Sequence, residues 1–114
     1  MNLFKILSPQ NNTLKMYVLV RKELETNYRH VQGSHASIEY TKIFSDTELF
    51  KQWCKNPYLI HLGIRFPSEL YKWMKVLTSN KISYYSWKEP DLDNEITAIC
   101  CINSGEIFKN LPLA

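Results

Sequence analysis

Val18, Leu19 and Val20 form an unbroken aliphatic, β-branched run that ends abruptly in Arg21, Lys22 and Glu23. Successive side chains of a strand point to opposite faces of a sheet, so a strand apolar at every position must be covered on both sides. Strands of that kind belong to α/β architectures, in which helices shield both faces. The charges that follow mark where the strand leaves the core. In open α/β sheets, ligand crevices lie beyond the carboxyl ends of strands, where loops and helix N-termini converge.

The rest of the chain fits this class. After a strand at 16–21, Asn27 is expected to cap a helix over 28–44 with Gly33, Ala36, Tyr40 and Ile43 as its inward stripe. Ser45-Asp46-Thr47-Glu48 reads as a capping box for a second helix, with Leu49, Phe50 and Trp53 as its apolar face and Asn56-Pro57 as its end. A strand at 58–64 follows, closed by Phe66-Pro67. Ser68 then caps a third helix reaching Asn80, in which Leu70, Trp73, Met74 and Leu77 recur at helical spacing. Strands at 81–87 and 96–102 flank the polar turn 88–95, which is too short for a crossover helix, so they should run antiparallel. Gly105 and the tail can add a short helix ended by Pro112. The order β-α-α-β-α-β-β predicts a three-layer α/β/α fold with a four-stranded mixed sheet and helices on both faces.

At 114 residues the chain suits one domain, read as an N-terminal extension over 1–15 and a folded domain over 16–114. Hydrophobic residues make up 45% and charged residues 22%, ample for a packed core. The net charge of +3 attracts phosphate only weakly and falls short of a dedicated basic patch. An odd set of three cysteines, with Cys100 and Cys101 adjacent in an apolar run, suggests buried reduced thiols and a cytoplasmic protein. Apolar stretches fall far short of the ~20 residues needed to span a bilayer, and no membrane partner is expected.

Two motifs carry a resemblance. Val20-Arg21-Lys22-Glu23-Leu24 fits the pattern Val-Arg-x-Asp-Leu, with Glu in place of Asp, and Gln32-Gly33-Ser34-His35-Ala36 fits the end of Gly-Lys-x-Ala-Ala-Gln-x-x-His-Ala. In these segments, and in its element order from Met16 onward, the chain resembles peptidyl-tRNA hydrolases of the second, archaeal and eukaryotic, type. It departs from them at Asn27-Tyr28, where the family has Gly-Lys. The lysine thought to act in catalysis is therefore replaced by Tyr28.

The resemblance implies hydrolysis of the ester between a peptide or amino acid and tRNA. That reaction needs a positioned water, a group to take its proton and donors for the oxyanion, without metal or cofactor. Gln32 and His35 lie three apart on one side of the helix and are carried over as catalytic candidates. The carboxylates Glu89, Asp91, Asp93 and Glu95 read plainly as a solvated turn. The resemblance singles out Asp91, with Asp93 as its competitor, to orient water together with the Thr97 hydroxyl. Arg21, Lys22, Arg29 and Lys42 are candidates for contacts to tRNA phosphates, and Tyr28 for substrate binding. His30 and His35 are too far apart in helical phase to share a metal, and Tyr84 to Trp87 read as core and sheet surface. The expected partners are tRNA and, in a homodimer, a second copy of the chain. The rival reading is a catalytically silent module of the same fold that binds RNA or protein, motivated by Asn27-Tyr28.

Overall fold

The computed structural model describes residues 13–114. The strands are β1 (Lys15–Arg21), β2 (Tyr58–Ile64), β3 (Tyr84–Glu89) and β4 (Glu95–Asn103), and the helices are α1 (Thr26–Phe44), α2 (Glu48–Cys54) and α3 (Pro67–Ser79). The strands form one sheet in the order β2-β1-β4-β3. β1 runs parallel to β2 and antiparallel to β4, which is antiparallel to β3. The expected N-terminal extension falls mostly on residues 1–12, outside those described; its last residue, Lys15, already belongs to β1.

β1 is covered on both faces, as its unbroken apolar run requires. Val18, Val20, Ala98 and Cys100 pack beneath Ala36 and Tyr40 of α1 and Phe50 of α2. Leu19, Ile64, Ile99 and Cys101 pack on the opposite face beneath Leu70 and Leu77 of α3, together with Phe108. Cys100 and Cys101 thus serve opposite layers, and both are buried free thiols. Gly33 lets α1 approach β2 closely, since a Cβ there would stand 2.8 Å from His61 Cε1. Among the described residues, no helix is long and apolar enough to cross a membrane.

The helix starts differ from the expected ones. α1 is capped by Glu25, whose carboxylate accepts from the backbone N–H groups of Asn27 (3.0 Å) and Tyr28 (3.2 Å), so Asn27 lies inside the helix. A carboxylate also suits the positive end of the helix dipole. α2 begins after Thr47, whose hydroxyl accepts from Phe50 N–H, and Ser45 instead ends α1. α3 begins with Pro67 in its first turn, and the Glu69 carboxylate reaches back to Phe66 N–H, leaving no capping role for Ser68. In α1, Ile43 is 56% exposed and Gln32 is fully buried, so the inward stripe includes a polar residue that an apolar pattern omits.

β3 starts at Tyr84 rather than at Lys81, because Lys81 turns the chain in the left-handed region with φ 58°. Near its end the register with β4 slips by one. Trp87 pairs with Ala98 and Lys88 with Ile96, so Thr97 has no opposite residue on β3. Such a bulge re-aims a side chain. Here Thr97 and Ala98 both turn toward α1, which sets the site described next.

Candidate active site at the start of the first helix

α1 begins just beyond the carboxyl end of β1, and its first turns lie against the end of the β3–β4 hairpin. Gln32 is the hub. Its amide Nε2 donates to Glu89 Oε1 at 2.8 Å, and its Oε1 accepts from the Thr97 hydroxyl. Gln32 and Thr97 are fully buried and Glu89 nearly so. Burying these groups is tolerable because each polar atom has a partner, and a chain of such bonds in a poorly solvated place fixes geometry strongly.

Glu89 receives two further bonds. Trp87 Nε1 donates to Oε1 at 3.3 Å and the Asp91 backbone N–H to Oε2 at 3.1 Å. The Asp91 amide at this short 3-10 turn does most to hold the carboxyl below its ordinary value, opposed by burial and aided by Gln32, Trp87 and the nearby His35. Glu89 is therefore a fixed negative charge near neutrality. A carboxylate has about four acceptor positions. Gln32, Trp87 and Asp91 fill three of them, leaving one on Oε2.

Around this core lie Tyr28, His35 and Asp91. Tyr28 is one turn before Gln32, and its phenol is pushed above its usual value by burial and then by the charges of Glu89 and Asp91, so it stays neutral at pH 7. His35 stacks on Trp87 with ring centroids 4.2 Å apart and planes 6° from parallel. Asp91 is exposed and enters the network through its backbone N–H, with its carboxylate at the surface.

The candidates thus divide. Gln32, Thr97, His35, Tyr28 and Asp91 come together, although Gln32 and Thr97 are 65 residues apart in the chain. Arg21 is buried, and its guanidinium is held by Glu23 and by Glu95 at 2.7 Å, so it is spent on the fold. These carboxylates keep it firmly charged. Lys42 lies farther along α1 and pairs with Glu39 at 3.1 Å. Lys22 and Arg29 line a different groove, on the β2 side of α1. The residue that sequence reasoning passed over is Glu89. Its signal was the adjacent Pro90, because proline favours the first position of a helical turn and so marks the residue before it as the capping acceptor.

Among the described residues, no group of three or more His, Cys, Asp or Glu side chains is placed to hold a metal ion. The chain matches no protein-family model and no curated protein.

Proposed function

We propose that this chain is a peptidyl-tRNA hydrolase-like protein that receives the ester-linked end of peptidyl- or aminoacyl-tRNA beside Tyr28, Glu89 and Asp91 and hydrolyses it slowly. The observation that carries the reading is the Thr97–Gln32–Glu89 chain of hydrogen bonds, with Tyr28 beside it. It joins the resemblance's glutamine and threonine to a buried carboxylate whose charge acts on Tyr28, the residue that stands where that family has its lysine.

In this reading, water bound at the open acceptor position of Glu89 Oε2 attacks the ester carbonyl carbon. The Tyr28 phenol donates to the developing oxyanion. Glu89 Oε2 takes a proton from the attacking water and returns it to the ribose oxygen as collapse breaks the acyl–oxygen bond, so the tRNA leaves with a free hydroxyl and the peptide as an acid. Two features make the step slow. A carboxylate held below its ordinary value is a feeble base at pH 7. A neutral phenol also stabilises an oxyanion less than an ammonium would. Reduced thiols accord with a cytoplasmic setting.

A second reading, a catalytically silent RNA- or protein-binding module of the same fold, is favoured by one observation: the polar groups of Gln32 and Thr97 are engaged with each other and with Glu89 inside the fold. Hydrolysis of diacetyl-lysyl-tRNA separates the two. Slow release of tRNA is expected from the wild type and loss of it from Glu89→Gln. Tyr28→Lys should raise the rate roughly 30- to 1,000-fold, the worth of about 2 to 4 kcal/mol of oxyanion stabilisation. If neither the wild type nor folded Tyr28→Lys releases tRNA above buffer, the hydrolase reading fails.

A further inference from the structure

A groove of about 540 Å³ opens beyond the carboxyl ends of the parallel strands β1 and β2, on the flank of α1 away from Glu89. This size lies within the range of small-molecule sites, roughly 300 to 1,000 Å³. Its lining includes three cations from three connections: Lys22 after β1, Arg29 in the first turn of α1 and Arg65 after β2. None of the three pairs with a carboxylate among the described residues. Of the two carboxylates that also line the groove, Glu23 is neutralised by Arg21, while Glu69 accepts from Phe66 N–H and keeps its charge, so the cations outnumber the uncompensated carboxylate three to one.

Two details indicate a built site. Arg29 Nε is buried without a hydrogen-bond partner among the described residues, while its terminal nitrogen donates to the Thr26 hydroxyl at 3.2 Å. A guanidinium whose Nε is enclosed and one of whose terminal nitrogens is tied to Thr26 is held as part of the groove wall, and its planar terminal donors match phosphate oxygens. At the groove's edge Phe66 is 55% exposed, with the Arg65 guanidinium 5.9 Å from its ring centre. An exposed aromatic beside cations offers a stacking face for a base.

We propose that this groove binds a phosphate monoester carried on a nucleoside, either a 5′-mononucleotide or the 5′-phosphorylated end of a strand. Lys22, Arg29 and Arg65 hold the phosphate, and Phe66 meets the base. Three unpaired cations suit a phosphate monoester, which approaches two negative charges at neutral pH, better than a neutral or singly charged ligand. The proposal is independent of ester hydrolysis, because a mononucleotide carries no acyl ester, and either idea can fail alone.

The test is titration of the full chain with AMP, adenosine and a short oligonucleotide with or without a 5′-phosphate, followed by amide chemical shifts and calorimetry. AMP should shift the amides of Lys22, Gly63 and Arg65, and adenosine should bind at least about tenfold more weakly. Arg29→Gln and Arg65→Gln should each weaken AMP about tenfold or more, whereas Lys42→Gln, outside the groove, should leave it unchanged. Arg65 is exposed, so its variant remains informative if Arg29→Gln folds poorly. Preference for AMP or for the phosphorylated strand identifies the source of the phosphate, and either result supports the site. Equal binding of AMP and adenosine, absence of shifts at Gly63 and Arg65 up to ~10 mM AMP, or unchanged affinity in a folded Arg65→Gln would overturn it.

Discussion

Gln32→Glu keeps the shape of the side chain and removes a donor at the one place where Glu89 depends on it. Two carboxylate oxygens would then face each other at the present 2.8 Å separation. At an effective dielectric of about 20, their repulsion is roughly 6 kcal/mol. Holding one proton at pH 7 on a group whose unfolded value is near 4.3 costs at most about 3.7 kcal/mol. Protonation is therefore the cheaper outcome, and the protonated Glu restores a donor toward Glu89. The pair's folded value is raised, so the variant's deficit should nearly vanish below about pH 4.5 and grow to roughly 2 to 4 kcal/mol at pH 7. Glu89 in the wild type has the opposite sign. Its value is held low, so the stability it contributes is present above the unfolded value and lost as pH falls through the folded one. The wild type should weaken in acid while the gap between the two proteins closes. Urea unfolding followed by tryptophan fluorescence between about pH 3 and 8 measures both trends. A deficit that is equal at the two ends, or under ~1 kcal/mol at pH 7, would refute the buried pairing of Gln32 with Glu89.

Two further outcomes test the layers around the site. Gly105 has φ 87°, and a Cβ there would fall 1.8 Å from Tyr17 Oη, so Gly105→Ala should cost about 3 kcal/mol or more in denaturant unfolding, and a loss under ~1 kcal/mol would contradict the close approach. Of the three free thiols only Cys54 is exposed, and burial pushes Cys100 up and Cys101 to about 12, so a thiol reagent at pH 8 should titrate Cys54 rapidly and the other two only after unfolding; rapid reaction of Cys100 or Cys101 in the native state would show that the sheet is not covered as described.

What the sequence disclosed follows from which forces act along the chain rather than across it. β1 and β2 were legible because an apolar run bounded by charge or proline leaves little choice of buried segment; β2 spans 58–64 as expected. Leu70 and Leu77 were legible for the same reason, since helical spacing of large aliphatic side chains predicts the buried face of α3. The caps were not. Glu25, Thr47 and Phe66 take those positions because of where the chain leaves the preceding turn, and intrinsic preference for Asn or Ser is too weak to decide among neighbours. Gln32 was visible only through the resemblance, because an apolar stripe passes over a buried amide whose partners lie 57 and 65 residues away. The bulge that turns Thr97 toward it is a property of two paired strands and has no signature in either alone.

The split between Tyr28 and Arg29 ties the two candidate sites to one geometric fact. Successive residues of a helix point about 100° apart. Tyr28, nearly in phase with Gln32, therefore turns toward the β3–β4 hairpin, and Arg29 turns toward the end of β2. The Arg29 guanidinium lines the groove with Lys22 and Arg65 on the other flank rather than standing beside Glu89. Positive charge at the first turn of the helix therefore faces the β2 flank. The candidate site at Glu89 is left negative, beside a neutral phenol, and the groove on the other flank carries three cations without a carboxylate partner among the described residues. A phosphorylated ligand is repelled from the first and attracted to the second. If both belong to one substrate, its phosphate must lie on the β2 flank of α1 and its uncharged reacting carbonyl on the β3 flank, with the first turn of the helix between them.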